Sequence, residues 1–292
     1  LVLAVLLVLG AGIILWRFPL AALAMAGRVA LRVQGFRELS VSGPNGSISY
    51  FRAGSGAPIV FIHGANDQAG TWARVAPAFA SAYKVVVVDL AGHGDSAPAT
   101  GPLPGDALFA GLDSVMDAEA REPATLIGNS LGGWMALVYA LNHPDRVVRV
   151  VSINGAISRG ESQEASTVLS PTTREEARRT VSRLFSPASG LYVPDFVLDD
   201  LVRRSPTSPV TRLMAAPPAS LERFLIDDRL ADLRVPVFVF WGEDDGLLSL
   251  SYARQATARI PDARLEVLPT CGHMPQRECP RALLDELRAI VQ

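Results

Sequence analysis

The stretch that decides the fold is GNSLG at residues 128–132, which fits the pattern G-x-S-x-G. An apolar run of strand length precedes it at residues 124–127, and a helical pattern follows at residues 131–141. A serine on a sharp turn between a strand and a helix is lifted above the sheet, and the crowded turn requires small residues two positions to either side. The context predicts a nucleophile, Ser130, and an oxyanion-binding backbone amide at Leu131.

From residue 36 onward, short apolar runs alternate with helical patterns. Residues 47–52 are predicted to form an early strand after a turn at residues 44–46. The apolar runs lie at residues 59–62, 85–89, 124–127, 147–153, 235–241 and 265–268. The helical patterns lie at residues 72–79, 107–119, 131–141, 251–260 and 281–291. Continuous apolar runs are typical of strands buried on both faces of a parallel sheet. The alternation therefore predicts an α/β fold with a mostly parallel, doubly wound sheet.

Residues 158–233 break this rhythm because they contain no strand-like run. Helical patterns occur at residues 173–185, 194–204 and 221–230. In the first of them, Thr173 and Glu176 have the spacing of a capping box. We expect a helical cap at residues 158–233, inserted over the carboxyl edge of a core formed by residues 36–157 and 234–292.

The N-terminal segment is strongly apolar. Residues 1–16 are all apolar or glycine, Arg17 interrupts the run, and residues 18–27 are apolar again. A helix that spans a bilayer needs about 20 apolar residues. We interpret residues 1–27 as a membrane anchor, with a cleaved signal peptide and a buried core helix as the alternatives. The protein is then expected to be membrane-associated, or exported if the segment is cleaved.

Composition excludes several other classes of function. The net charge of -2 gives no electrostatic footprint for nucleic acid. The sequence has neither a clustered metal-ligand spacing nor a Walker-type glycine loop, so we expect no metal and no organic cofactor.

Two cysteines, Cys271 and Cys279, are too few for a disulfide framework. Free thiols are the favoured interpretation and a mutual disulfide is the alternative. The oligomeric state does not follow from the sequence.

A serine nucleophile needs a base, and the chain has four histidines. His273 lies on a loop between the last strand and the last helix, at the edge of the sheet where Ser130 is expected. His143 should lie a helix length away from Ser130. His63 and His93 follow earlier strands. The order serine, acid, histidine is the one used with this type of elbow, which makes His273 the best candidate.

The acid should come from WGEDDG at residues 241–246, which follows an apolar strand. A buried carboxylate there could accept the second imidazole N–H and fix the tautomer of the base. Glu243, Asp244 and Asp245 all qualify, and spacing alone does not choose between them.

From about residue 36 to the C-terminus, the chain resembles the α/β-hydrolase superfamily. Five blocks match in order: HG at residues 63–64, DLAGHGDS at residues 89–96, the elbow, WGEDD at residues 241–245 and GHMP at residues 272–275. The resemblance implies that Asp245 is the acid and that Ala65 supplies the second oxyanion amide, with Asn66 as the fallback. It also implies that His63 and His93 are structural.

Three subgroups are close to this sequence. Membrane-anchored monoacylglycerol-lipase-like hydrolases share the apolar N-terminal segment, the GNSLGG elbow and a short helical cap. Carbon–carbon bond hydrolases are similar at the elbow, but they usually carry tryptophan after the histidine, where this chain has Met274. Haloperoxidase-like or perhydrolase-like members are a weaker match. Haloalkane dehalogenases and epoxide hydrolases are disfavoured because they use aspartate at the elbow.

We therefore expect serine-dependent hydrolysis of a small-molecule ester or lipid. A carbon–carbon bond hydrolase and a non-catalytic ligand-binding protein on the same scaffold are the alternatives. Side chains of the cap could set specificity, although ordinary packing within the cap is an equal interpretation. The candidates are Phe185, Leu191, Tyr192, Phe196, Leu213, Met214 and Phe224.

Overall fold

One sheet organises the chain. The computed structural model describes Gly12, residues 15–155 and residues 159–291, apart from the side chains of residues 159–163. The strands are β1 (Arg37–Gly43), β2 (Gly46–Ala53), β3 (Pro58–Ile62), β4 (Lys84–Val88), β5 (Ala124–Asn129), β6 (Val147–Ile153), β7 (Val237–Gly242) and β8 (Ala263–Leu268). Their spatial order is β1-β2-β4-β3-β5-β6-β7-β8.

Helices cover both faces of the sheet and its carboxyl edge. They are α1 (Pro19–Val33), α2 (Gly105–Glu119), α3 (Leu131–Asn142), α4 (Arg159–Val168), α5 (Arg174–Leu184), α6 (Asp195–Arg204), α7 (Pro209–Met214), α8 (Ala219–Glu222), α9 (Leu250–Thr257), α10 (Pro275–Glu278) and α11 (Pro280–Val291). Among the residues described between β6 and β7, helices α4 to α8 occur and no strand does.

The predicted mostly parallel sheet is confirmed. Strands β1 and β2, and β2 and β4, pair antiparallel, whereas every other neighbouring pair is parallel. All five residues of β3 and all six of β5 are buried, as expected for strands covered on both faces. Because the strands from β3 to β8 are parallel, the loops that follow β5, β6, β7 and β8 meet at one edge.

One strand was missed, and two predicted helices differ from the structure. Strand β1 was not predicted, because it is a half-exposed edge strand of mixed polarity that gains its order from pairing with β2. Residues 72–79 form no α-helix; they contain the end of one 3-10 turn, Ala69–Trp72, and the whole of a second, Ala76–Phe79. Residues 221–230 are split between the end of α8 and a 3-10 turn, Asp227–Asp232. In each case tertiary contacts outweigh a weak local pattern.

Helix α1 packs on the sheet domain through a buried arginine. Arg28 is 5% exposed, and its guanidinium lies 2.5 Å from Asp89 and 2.6 Å from Asp95, with Glu38 as a further partner. Asp89 follows β4 and is completely buried. The ion pairs therefore fasten the N-terminal helix to the loop that follows β4.

The opposite face of α1 is apolar and exposed. Met25, Val29 and Val33 lie four residues apart, so they share one face of the helix, and each is at least 45% exposed. No helix in residues 15–155 or 159–291 is long and apolar enough to cross a bilayer. Residues 1–11, 13 and 14 of the predicted anchor lie outside the described residues. Its last part, residues 19–27, belongs to α1 and lies against the sheet domain.

Replacing Arg28 with methionine should lower the free energy of unfolding by about 3–5 kcal/mol, because Asp89 would be left buried without its cation. The matched control is Arg32→Met, which removes an exposed arginine that pairs with Glu38. An exposed pair contributes about 0–1 kcal/mol. Urea denaturation followed by circular dichroism measures both variants. Equal effects of the two substitutions would contradict this account of how α1 is held.

Candidate active site

Ser130 occupies a strained turn between β5 and α3. Its backbone has φ 53° and ψ -119°, a left-handed conformation that is uncommon for a serine. Two hydrogen bonds of the Ser130 backbone hold the turn in place. The Ser130 N–H donates to the Ile153 carbonyl at 2.8 Å, and the Trp134 N–H donates to the Ser130 carbonyl at 3.1 Å.

The glycines of the elbow allow a very close approach of backbone. A Cβ atom at Gly128 would lie 2.2 Å from the carbonyl group of Gly132. A Cβ atom at Gly132 would lie 2.3 Å from the carbonyl oxygen of Ile62, at the end of β3. Larger residues cannot be accommodated at either position without a shift of the backbone. These two close contacts explain why glycine occupies both positions of the G-x-S-x-G pattern.

His273 lies beside Asp245, the acid that the family resemblance implied. The His273 Nδ1 atom is 2.8 Å from Asp245 Oδ2, and both side chains are almost fully buried. Because the carboxylate accepts, Nδ1 carries the hydrogen, and Nε2 is left as the basic nitrogen. The described residues include no hydrogen bond between His273 and the Ser130 hydroxyl, but both residues line one cavity. Such bonds are often long before substrate binds.

The structure distinguishes the three adjacent acids. Besides His273, Asp245 accepts hydrogen bonds from Asn154 Nδ2 at 2.7 Å and from the amides of Leu247 and Leu248 at 2.8 and 3.0 Å. With His273 Nδ1, four donors therefore surround this one carboxylate. Asp244 instead accepts from the Ser186 hydroxyl at 2.5 Å. Asp245 is the acid that contacts the imidazole.

Two asparagines that the sequence analysis did not single out connect the loops. Asn129 Nδ2 donates to the His273 carbonyl at 3.0 Å, and Asn129 Oδ1 accepts from Gln276 at 3.0 Å. Asn154 Nδ2 also donates to the Gly272 carbonyl at 3.1 Å. Asn129 ends β5 and Asn154 follows β6. A polar residue at the end of a buried strand was therefore the signal in the sequence that could have pointed to both.

The two predicted oxyanion amides lie close to Ser130. Leu131 is the first residue of α3, where amides have no partner within the helix. Ala65 lines the cavity, and a Cβ atom at the preceding Gly64 would lie 3.1 Å from Ser130 Cβ. The side chain of the fallback residue, Asn66, is engaged by the cap. It donates to the Leu169 carbonyl and accepts from the amide of Val210.

The other histidines have different surroundings. His63 Nδ1 donates to the Gly64 carbonyl at 2.7 Å, and its Nε2 accepts from the amide of Leu90. His93 Nδ1 donates to the backbone, and burial lowers the pKa of His93 to about 3, so it stays neutral. His143 is half exposed at the far end of α3. Within the described residues, no group of three or more His, Cys, Asp or Glu side chains could hold a metal ion.

Cys271 and Cys279 form a disulfide, so the interpretation as free thiols is wrong. The two cysteines are eight positions apart and flank the loop that carries His273. A single helical turn, α10, folds this loop back and brings the two Cα atoms to 6.1 Å. Counting cysteines could not reveal a local pair whose geometry depends on that turn.

A cavity of about 580 Å³ opens above Ser130 and His273. Its apolar wall comes from α1 and from the cap, and it includes Leu20, Leu23, Met25, Val181, Leu184, Phe185 and Leu201. Of the seven cap side chains proposed from sequence, only Phe185 lines this cavity. Leu213 is buried, Phe224 stacks on Phe109, Phe196 is half-buried, and Leu191, Tyr192 and Met214 are exposed.

The cavity wall also carries a surplus of positive charge. Four arginines and two aspartates line it, and each aspartate is paired: Asp67 with Arg277 at 2.7 Å, and Asp95 with Arg28. Arg212 is bound by the carbonyl groups of the loop after β4. Arg204, at the end of α6, has no acidic partner among the residues that the structure describes. Two cationic side chains therefore lack a balancing carboxylate.

Comparisons with known proteins agree with this architecture. A family model described as the alpha/beta hydrolase family matches residues 59–286. The chain is 30% identical over 252 residues to a 2-hydroxy-6-oxononadienedioate/2-hydroxy-6-oxononatrienedioate hydrolase of Paraburkholderia xenovorans, covering 79% of this chain and 86% of the relative.

Two solved structures are also similar. A bacterial membrane phospholipase A matches with a TM-score of 0.78 and 24% identity, over 99% of this chain and 96% of that protein. An N-acyl homoserine lactone degrading enzyme matches with a TM-score of 0.74 and 27% identity, over 86% of this chain and all of that protein.

Proposed function

Because the chain belongs to the alpha/beta hydrolase family, we propose that it is a serine hydrolase that cleaves carboxylic esters through an acyl-enzyme on Ser130. The observation that carries the proposal is the buried 2.8 Å contact between His273 and Asp245, at the cavity that Ser130 also lines. A nucleophile, a base and an acid that orients the base are the groups that acyl transfer requires.

In the acylation step, the Ser130 hydroxyl attacks the ester carbonyl carbon and gives its proton to His273 Nε2. The imidazolium that forms is stabilised by Asp245 through the Nδ1–H. The amides of Ala65 and Leu131 bind the negative oxygen of the tetrahedral intermediate, and each contributes about 3 kcal/mol. The intermediate then expels the alcohol, which takes the proton from His273 Nε2.

In the second step, water hydrolyses the acyl-enzyme. His273 Nε2 accepts a proton from the water as its oxygen attacks the acyl carbon, and then returns the proton to Ser130 as the carboxylic acid leaves. The same two amides bind the second oxyanion. The chemistry of both steps is supplied by side chains and backbone of this chain.

The apolar part of the cavity supports an ester with an acyl chain. The wall formed by α1 and by the cap, residues 158–233, offers aliphatic and aromatic contacts close to Ser130. A volume of about 580 Å³ is within the usual range for a small-molecule site. The similarity to a membrane phospholipase A and to a lactone-degrading enzyme is consistent with esters as substrates.

A second candidate function is hydrolysis of a carbon–carbon bond in an acidic substrate. The surplus positive charge of Arg204 and Arg212 in the cavity favours it, because the hydrolase from Paraburkholderia xenovorans is named for a dioate, which carries carboxylates. Met274 counts against it, since these hydrolases usually carry tryptophan at that position. Arg204, which has no acidic partner among the described residues, would also suit an ester that bears a carboxylate or phosphate.

We also propose that the protein is attached to a membrane through residues 1–27. The apolar run continues into α1, whose exposed face presents Met25, Val29 and Val33. A helix with one apolar exposed face can lie in the interface of a bilayer. The disulfide further supports a location of the hydrolase domain outside the cytoplasm, because disulfides persist in oxidising compartments.

A fluorophosphonate probe should label the wild-type protein, and Ser130→Ala should abolish labelling because the nucleophile is removed. Gel fluorescence measures the label, and circular dichroism verifies that the variant is folded. Hydrolysis of short 4-nitrophenyl esters should be lost in parallel. An unlabelled wild type, or a Ser130→Ala variant labelled as strongly as the wild type, would refute the serine-hydrolase proposal.

Arg204→Gln should raise the KM for mono-4-nitrophenyl glutarate about tenfold and leave the KM for 4-nitrophenyl pentanoate unchanged, because only the first ester carries a carboxylate for Arg204. The control Arg234→Gln removes an exposed arginine that precedes β7, at the opposite edge of the sheet. Equal changes for both esters would refute a role in recognising charge. A strong preference of the wild type for a 2-hydroxy-6-oxodienoate over both esters would favour carbon–carbon hydrolysis.

The full chain should sediment with membranes, whereas a chain without residues 1–16 should be recovered mainly in the supernatant, because the apolar run supplies most of the membrane affinity. Ultracentrifugation of cell lysates and carbonate washing measure the distribution. The esterase activity of the shortened chain shows that it is folded. Recovery of the full chain in the supernatant would contradict the anchor.

A further inference from the structure

Beyond the three proposed catalytic groups, we propose that Glu278 is a positioning residue that couples the cap to His273. The inference rests on the proposed function, because it assigns His273 the role of base. Glu278 closes α10 within the disulfide loop, and its carboxylate contacts both the base loop and the cap. The arrangement makes the position of the imidazole depend on the cap.

The carboxylate of Glu278 binds the backbone on both sides of His273. It accepts hydrogen bonds from the amides of Gly272 and Met274, each at 3.3 Å. It also accepts from the amide of Ser186, in the cap, at 2.7 Å. One side chain therefore holds the residues immediately before and after the base together with a segment of the cap.

The cap also contacts His273 directly. The His273 N–H donates to the carbonyl of Leu184 at 2.8 Å. Leu184 ends helix α5, and Ser186 follows it by two residues, so a single turn of the cap binds the base loop twice. A displacement of this turn would move the base loop, because the Leu184 carbonyl accepts from the His273 N–H and the Ser186 amide donates to the Glu278 carboxylate.

The same turn of the cap binds the acid loop. The Ser186 hydroxyl donates to Asp244 at 2.5 Å, next to Asp245. The Gly246 N–H donates to the Arg183 carbonyl at 3.1 Å, and the Arg183 guanidinium donates to the Gly246 carbonyl at 2.7 Å. Residues 183–186, the clamp segment, thus hold the acid loop and the base loop at once.

The clamp segment also borders the substrate cavity. Leu184 and Phe185 line the cavity, so a bound acyl chain would contact the residues that hold the two loops. Contacts with the substrate would stabilise the clamp segment in the position that keeps His273 beside Asp245. Binding energy from a remote part of the substrate could then be expressed at the reacting centre.

The chemistry of the carboxylate explains why glutamate occupies this position. Burial raises the pKa of Glu278, while the amides of Ser186, Met274 and Gly272 act to lower it. No arginine or lysine among the described residues forms an ion pair with Glu278. The amides are thus its main partners. Glutamine would offer one acceptor oxygen instead of two and would direct an NH₂ group toward an amide N–H.

The test is Glu278→Gln, measured against the wild type with 4-nitrophenyl butyrate. We expect kcat to fall about 30-fold with KM changed less than twofold, because misplacement of a catalytic group slows chemistry more than binding. The low-field proton resonance of His273 Nδ1–H should shift or broaden in the NMR spectrum. The matched control is Glu119→Gln, which alters a buried carboxylate bound to Tyr50 and remote from the cavity.

An unchanged kcat and an unchanged low-field resonance in folded Glu278→Gln would overturn the proposal. If that variant does not fold, Glu278→Asp decides, because the shorter side chain keeps the carboxylate but cannot reach the amides of Ser186, Gly272 and Met274 together. It should lower kcat about fivefold at constant KM, and an unchanged kcat would refute the coupling. A wild type without esterase activity or probe labelling would sink the proposed function instead, and the resonance would still report how Glu278 holds His273.

Discussion

The close approach of α3 to the end of β3 is the constraint on which the site depends. Gly132 lies so near the carbonyl of Ile62 that a single added carbon would collide with it. This contact places the strained Ser130 at the edge of the sheet and brings the residues after β3, including Ala65, beside it. The parallel order of β5, β6, β7 and β8 then places Asp245 and His273 at the same edge.

Sequence predicted the features that local chemistry determines. The elbow is visible because its turn requires small residues at fixed spacing, and the buried parallel strands are visible as continuous apolar runs. The chain order serine, acid, histidine pointed to Ser130 and His273. The choice of Asp245 over its two acidic neighbours needed the resemblance, because spacing leaves all three open. The structure adds the physical reason, since only Asp245 contacts the imidazole.

The features that sequence missed depend on contacts between distant segments. Strand β1 is ordered by pairing with β2, and the disulfide forms because α10 folds its loop back. Asn154 and Glu278 are ordinary polar residues until the loops that they connect are placed side by side. The predicted anchor, residues 1–27, took in the first part of α1, because the sequence does not show that Arg28, just after it, binds Asp89, which lies 61 positions away.

The identity of the substrate depends on the walls of the cavity more than on the catalytic groups. A serine, a histidine and an aspartate in this arrangement serve several reactions within one fold, so the reaction is selected by what the cavity binds. Here an apolar wall from α1 and the cap faces Ser130, while Arg204 and Arg212 leave positive charge unbalanced. A substrate with both an aliphatic part and an acidic group satisfies both features. A neutral ester would use only the apolar wall and would leave Arg204 to be balanced by solvent.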